Sequence, residues 1–123
     1  MILFHTKLNI SDNSGGRLGQ CIKVINKKYA SLGDLITVVI KSLRRTIKLK
    51  RVKNSSIYKG IIIRVKKKTR TTLSTYIKFN DNALVILSGA GNPLSSRIYG
   101  SVDQSIRSKG LNLKIVSLAR VLT

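Results

Sequence analysis

Acidic residues are almost missing from this 123-residue chain. It contains no glutamate, and its four acids, Asp12, Asp34, Asp81 and Asp103, are scattered among 24 lysines and arginines, which gives a formal net charge of +20. Metal-dependent phosphodiester chemistry usually needs clustered carboxylates to hold the ions. The scarcity of acids therefore argues against a nuclease, and we expect no enzymatic activity.

Other residues that carry chemistry are equally scarce. Cys21 is the one cysteine and His5 the one histidine, so the sequence offers neither an internal disulfide nor Cys/His metal spacing. It has no GxSxG or P-loop pattern, and no apolar run near the ~18 residues that span a bilayer. We therefore expect no catalytic residue, metal, cofactor, small-molecule substrate or membrane partner.

The positive charge is concentrated in the middle of the chain. Residues 41–80 carry fourteen basic residues and no acid, whereas residues 1–40 and 81–123 each carry five basic residues and two aspartates. A surface of one sign repels itself unless a polyanion neutralises it. The middle segment is rich in Ile, Val and Thr and lacks the Trp/Phe/Leu face of a membrane-surface helix. Nucleic acid is therefore the predicted partner.

The apolar residues predict one folded domain over residues 1–123. Hydrophobic residues make up 42% of the chain, which is the length of an ordinary domain. Period-two patterning favours β structure, and the strand candidates are residues 20–25, 34–41, 59–65, 75–79, 83–87 and, more weakly, 113–118. We expect Ile61, Ile63 and Val65 to share one face of their strand. Five or six short strands separated by turns predict a small β-barrel.

Two local features complete the predicted fold. Asp103 is placed to cap a short helix over residues 104–109 that Gly110 would end. Residues 66–72 lie between two strand candidates, so they predict the tip of a hairpin that carries Lys66, Lys67, Lys68 and Arg70. Such a tip suits RNA phosphates; the alternative is an ordinary solvated hairpin.

A family resemblance covers the whole chain. Gly60 with three following isoleucines, the basic residues 64–72, and then Phe79, Asn82, Val85 and Ile86 resemble the signature of the universal large-subunit ribosomal protein fourteen family. The segments LNISDNSG (8–15), CIKV (21–24), YASLGD (29–34) and RIYG (97–100) are similar to its other boxes and follow the same order. The chain departs from the family at residues 73–74, where Leu-Ser occupies the place of an Asx-Gly turn.

The resemblance implies both a fold and a function. The fold is all-β: a small closed five-stranded β-barrel with a projecting basic hairpin and one or two short C-terminal helices. The function is that of a structural constituent of the large ribosomal subunit, which binds large-subunit rRNA at the subunit interface and contributes to intersubunit bridges with small-subunit rRNA. Expected neighbours are large-subunit ribosomal proteins three and nineteen, and the ribosome silencing factor docks on this family.

The resemblance also selects rRNA-binding residues among the cations. Those that match basic positions of the family are Lys23, Arg64, Lys66, Lys67, Arg70, Arg97 and Arg107. Further candidates are Lys68 in the hairpin and the local additions Arg44, Arg45, Lys48, Arg51 and Lys53. Tyr99 is either a base-stacking residue or a tyrosine packed at the barrel edge.

The compartment and one competing function follow from composition. Ile, Lys and Asn are abundant, as AT-rich codons favour, so we expect an organelle-encoded protein of the mitochondrial ribosome, with a plastid or an AT-rich bacterium as the alternative. The competing function is a general nucleic-acid chaperone or DNA-binding barrel, which would bind duplex DNA as tightly as RNA.

Overall fold

A computed structural model describes residues 1–45, 51–70, 74–109 and 113–123 of the chain. Five strands form a closed barrel in the order β1, β2, β3, β4 and β7. Their bounds are β1 Lys7–Ile10, β2 Gly16–Val24, β3 Leu35–Leu43, β4 Ile57–Arg64 and β7 Ala83–Leu87. Consecutive neighbours pair antiparallel, and β1 pairs parallel to β7 to close the barrel. The predicted five-stranded β-barrel is therefore confirmed.

Short elements lie outside the barrel sheet. β5 (Thr69–Arg70) and β6 (Tyr76–Ile77) form an antiparallel hairpin, and β8 (Ser101–Val102) pairs parallel with β9 (Val121–Leu122). The predicted helix after Asp103 is a 3₁₀ helix, Gln104–Lys109, whose first turn is capped by the Asp103 carboxylate. The Asp103 Oδ1 accepts the Ser105 N–H at 2.7 Å.

The strand predicted over residues 113–118 was wrong, because this segment is the α-helix α1 (Leu113–Leu118). Ile115 is buried, and Val116, Leu118 and Ala119 pack against the same apolar cluster. Their spacing of i, i+1, i+3 and i+4 is that of one helix face, but so short an apolar run does not separate helix from strand by periodicity alone.

Three residues named in the predictions, Lys48, Leu73 and Gly110, lie outside the described residues. No helix in the described parts of the chain is long and apolar enough to cross a membrane.

Two apolar clusters hold the fold together. The first lies inside the barrel and takes side chains from all five of its strands, including Leu8, Cys21, Val38, Ile62 and Leu84. The predicted inward face of β3 is confirmed, since Ile36, Val38 and Ile40 are fully buried. Cys21 is a small core residue, as expected, and its thiol is free.

The second cluster covers the outer surface of β4 and β7. Ile61 and Ile63 of β4, and Ala83, Val85 and Leu87 of β7, pack there against Ile106 of the 3₁₀ helix and Ile115 of α1. β7 is thus buried on both faces, since Leu84 and Ile86 point into the barrel. Burial on both faces explains its uninterrupted apolar sequence.

A β-bulge at the end of β4 changes the direction of its last side chains. The pairing of β4 with β7 shifts register between Ile62 and Arg64. Val65 consequently packs in the barrel cluster, not with Ile61 and Ile63 as alternation predicted. The same shift turns Arg64 away from the barrel interior, where strict alternation after Ile62 would have placed it.

The signature residues have structural roles around this bulge. A Cβ on Gly60 would lie 2.9 Å from Leu84 Cδ1 and 3.0 Å from the Val85 carbonyl oxygen, so β4 and β7 approach closely only because residue 60 has no side chain. Asn82 accepts the Lys66 N–H at 2.7 Å through its side-chain oxygen. The Phe79 N–H reaches the Val65 carbonyl, and its ring packs on the barrel cluster. These contacts fix the base of the β5–β6 hairpin.

Candidate nucleic-acid interface

All four acids are engaged within the chain, which leaves the surface charge almost entirely positive. Asp12 and Asp103 are buried. Asp34 pairs with Lys27 at 3.1 Å, and Asp81 pairs with Arg64 at 3.0 Å. Four carboxylates, two of them buried, cannot neutralise 24 lysines and arginines, so most of the positive charge is left for an external anion.

The predicted cations of the basic hairpin are all exposed to solvent. Lys66, Lys67, Lys68 and Arg70 are all solvent-exposed, on the connection from β4 and on β5. On the opposite strand, Ile77 packs towards the barrel, so the hairpin has an inner apolar side and an outer charged side. The structure brings these four predicted residues together on one projecting element.

A second group of cations surrounds the turn between β1 and β2. The Arg44 guanidinium donates to the Ile10 carbonyl at 3.0 Å and to the Gly16 carbonyl at 3.3 Å. The backbone N–H of Arg51 donates to the Ser14 carbonyl at 2.7 Å. The backbone at residues 44 and 51 is thus held against this turn, and the exposed Arg51 side chain donates through Nη1 to the Leu94 carbonyl at 2.5 Å.

Tyr99 lies at the same place. Its N–H donates to the Ser11 carbonyl at 2.6 Å, and Arg44 lies over its ring at 5.5 Å from the centroid. Tyr99 is 40% exposed, so it occupies the barrel edge with part of its ring open to solvent. Its stacking on a base stays a prediction.

Arg64 makes more hydrogen bonds within the chain than any other predicted cation among the described residues. Nε donates to Asp81 Oδ1 at 3.0 Å, and Nη1 donates to the carbonyls of Tyr99 and Ser101, each at 3.0 Å. Nη2 donates to Ser11 Oγ and, at 3.4 Å, to Asp81 Oδ2. These five bonds equal the number of N–H donors that a guanidinium has.

Gly100 makes room for this arrangement. Its φ is +76°, and a Cβ there would lie 2.4 Å from Arg64 Nη1. A glycine between the two carbonyls of Tyr99 and Ser101 therefore lets the guanidinium bind both. We call this arrangement of Arg64, Asp81, Ser11 and residues 99–101 the Arg64 clamp.

The other predicted site residues lie on separate elements. Lys23 is exposed on β2, Arg107 on the 3₁₀ helix, and Arg45 just beyond β3. Lys53 is exposed before β4, and Arg97 is exposed beside Ile98, which bridges to Asp12. Lys48 lies outside the described residues.

The pKa values of Asp81 and Asp12 are shifted in opposite directions from the ordinary value of an aspartate. Burial raises the pKa of Asp81, but hydrogen bonds from Asn9 and Arg64 and the Arg64 charge outweigh that effect, so its pKa lies below the ordinary value. Burial raises the pKa of Asp12 above its ordinary value, against hydrogen bonds from Ser14 and the Ile86 N–H. Asp81 is thus the more strongly stabilised anion, and its carboxylate accepts hydrogen bonds from Arg64.

Two exposed residues beside the hairpin cations were missed as candidates. Tyr76 on β6 is 59% exposed, with Lys68 Nζ 4.4 Å from its ring centroid. Lys78 is exposed two residues later. The signal was present in the alternation of residues 75–79, which places Tyr76 and Lys78 opposite the apolar Ile77 and Phe79.

No group of three potential metal ligands exists among the described residues. A comparison with known protein families identifies the chain independently of these contacts. The family model described as ribosomal protein L14p/L23e matches residues 1–123, the entire sequence. The chain therefore belongs to this family of ribosomal proteins, which are non-enzymatic structural components of the large ribosomal subunit.

Proposed function

We propose that the chain binds large-subunit rRNA through its exposed cations and thereby helps to hold the large subunit together. The observation that carries this proposal is the charge of the surface: +20 on a small barrel whose four acids are all turned to internal contacts. RNA phosphates are the polyanion available to a ribosomal protein, and they supply the missing negative charge.

The proposed rRNA-binding residues fall into two groups, according to how many hydrogen bonds their side chains make within the chain. Phosphate contacts are proposed for the exposed cations Lys23, Arg45, Arg51, Lys53, Lys66, Lys67, Lys68, Arg70, Arg97 and Arg107, and Lys48 remains a candidate from sequence. Arg44 and Arg64 are proposed to act on rRNA by shaping the surface around the β1–β2 turn, because each guanidinium makes two or more hydrogen bonds to carbonyls of the chain. Arg51 makes one such bond, from Nη1 to the Leu94 carbonyl, and its exposed side chain keeps other donors for phosphate.

Contacts with ribosomal neighbours are also proposed. The family resemblance supports a place at the subunit interface, a bridge with small-subunit rRNA, contacts with large-subunit proteins three and nineteen, and docking of the ribosome silencing factor. A protein neighbour is further supported by exposed apolar side chains near the N-terminus. Met1, Leu3, Phe4 and Tyr29 are between 41% and 59% exposed, and the bridge between Ile2 and Ala30 brings their segments together.

We propose a mitochondrial ribosome as the location. The support is compositional, since the abundance of Ile, Lys and Asn fits an AT-rich organellar genome. A plastid or an AT-rich bacterium remains the alternative, and fractionation of the source cells distinguishes the three.

Sedimentation of the native protein from gently lysed source material tests the proposed function. We expect co-migration with the large ribosomal subunit at low and at moderate salt, because many phosphate contacts act together. Protein at the top of the gradient at both salt concentrations, or co-migration with DNA, would contradict the proposal and favour a nucleic-acid chaperone.

A further inference from the structure

The outer side of the β5–β6 hairpin combines one exposed aromatic ring with several cations. Arg70 and Tyr76 are directly paired across the two strands, so their side chains leave the same face of the hairpin. Lys68 directly precedes β5 and Lys78 directly follows β6. Lys68 lies two residues from Arg70 and Lys78 two residues from Tyr76, which is the spacing that returns to the same face of an extended chain. All four residues are exposed. We call Lys68, Arg70, Tyr76 and Lys78 the outer face of the hairpin.

Among the described residues, Tyr76 packs against neither apolar cluster. It is 59% exposed, while its neighbour Ile77 supplies the apolar contact with the barrel. Lys68 Nζ lies 4.4 Å from the ring centroid, within the range of a cation–π contact. That contact orients the ring beside a cation and leaves most of the residue accessible to a ligand.

The chemistry of the outer face selects a ligand that has both a flat apolar surface and negative charge. The described hairpin residues, 66–70 and 74–79, contain no acid, so an anionic ligand meets no repulsion there. Single-stranded nucleic acids satisfy both requirements, because bases stack on aromatic rings while cations hold the flanking phosphates. A base paired within a helix offers no open face to Tyr76.

We propose that the outer face of the hairpin binds an unpaired RNA base, which stacks on Tyr76 while Lys68, Arg70 and Lys78 hold the adjacent phosphates. This inference rests on the proposed function and deepens it, since it assigns single-stranded rather than helical RNA to this element. It also makes Tyr76 a determinant of specificity that phosphate contacts alone do not supply.

The test compares binding of the full chain to two probes at several salt concentrations. One probe is a 12-nucleotide single-stranded RNA of mixed sequence, and the other is the duplex of that RNA with its complement. Tyr76→Thr removes the ring and keeps a residue suited to a strand, whereas Tyr76→Phe keeps the ring. Tyr29→Thr is the matched control, because Tyr29 is 53% exposed, lies beside the bridge between Ile2 and Ala30, and is not part of the outer face of the hairpin.

We expect Tyr76→Thr to weaken binding to the single strand about 5- to 150-fold, the range for loss of one base–aromatic stack. The salt dependence should keep its slope, since no charge is removed. Tyr76→Phe should stay within about twofold of the wild type, and Tyr29→Thr should match it. None of the three variants should change binding to the duplex.

Two results would overturn the inference. One is wild-type affinity of Tyr76→Thr for the single strand, and the other is an equal loss for both probes, which would indicate a disturbed hairpin. Neither result depends on the gradient experiment. If the protein does not co-migrate with the large subunit but Tyr76→Thr weakens binding to the single strand, the proposed function fails and the stacking site stands. If the protein co-migrates with the large subunit but Tyr76→Thr has no effect, only the stacking site is refuted.

Discussion

Replacement of Arg64 should destabilise the fold before it alters any phosphate contact. In Arg64→Met the side chain keeps an unbranched apolar stem and loses its charge and all five donors. The side chain is only 11% exposed in the Arg64–Asp81 pair, so water replaces few of the lost bonds. We therefore expect a clear loss of stability from a residue that sequence alone places on rRNA.

The magnitude follows from the partners of the clamp. Breaking a buried ion pair from one side costs about 3–5 kcal/mol. Asp81 is 34% exposed and recovers part of its hydration, which lowers the figure. The carbonyls of Tyr99 and Ser101 lose a charged donor, and such losses do not add independently. We expect a decrease of about 3 kcal/mol in the free energy of unfolding, a large share of the ~5–15 kcal/mol of an ordinary domain.

Urea unfolding of the purified chain measures this decrease, and its pH dependence identifies the cause. The pKa of Asp81 is lowered in the folded state, so its stabilising contribution is present above the unfolded value of about 3.9 and is lost as the pH falls through the lower folded value. The difference between wild type and Arg64→Met should therefore shrink below about pH 4.

Lys67→Met is the matched control, because Lys67 is an exposed hairpin cation. It should leave the free energy of unfolding nearly unchanged and reduce the slope of log affinity against log salt by about 0.7–0.9. Arg64→Met should show the opposite pattern. A loss of stability below about 1 kcal/mol, together with a reduced salt slope, would refute the clamp and return Arg64 to the phosphate contacts.

Three other substitutions test particular backbone and side-chain contacts. Gly100→Ala should lower the free energy of unfolding by about 2 kcal/mol, because φ is +76° and the new Cβ would displace Arg64 Nη1; an unchanged urea midpoint would count against it. Ser74→Gly should raise stability by about 0.5 kcal/mol, since Ser74 has a φ of 62° in the left-handed region that favours glycine, whereas Ser74→Ala should not. Asp12→Asn should cost about 2 kcal/mol in a thermal melt, because Asp12 accepts from Ser14 and from the Ile86 N–H, and an amide NH₂ opposes one of these donors. A wild-type melting temperature for Asp12→Asn would show that the site rearranges.

The barrel was predictable because its strands follow simple alternation. Ile36, Val38 and Ile40 point inward as their spacing indicates, and the continuous apolar run of β7 reflects burial on both faces. The order of the family boxes fixed the topology further. Such features depend on periodicity, which a single sequence displays directly.

The Arg64 clamp was not predictable, because it depends on a bulge and on distant residues. The register shift beside Arg64 breaks the alternation that assigned Val65 to the wrong face. The partners of the guanidinium come from positions 11, 81, 99 and 101, and no local pattern joins them. The match of Arg64 to a basic position of the family indicated a phosphate contact, whereas in the structure its five N–H donors bond to the chain itself.

The helix α1 shows a different limit. Its six residues are too few for a helical repeat to be distinguished from a strand, and tertiary packing decides the outcome. Ile115 is buried against the outer surface of β4 and β7, which the barrel strands alone would leave apolar and uncovered.

Crosslinking within intact large subunits tests the central claim most directly. After irradiation of purified subunits and digestion, the account predicts that peptides containing the exposed hairpin residues 66–70 or 74–78 carry nucleotides of large-subunit rRNA. Subunits that contain the protein but yield hairpin peptides free of RNA, while other rRNA-binding proteins in the same sample crosslink, would contradict it.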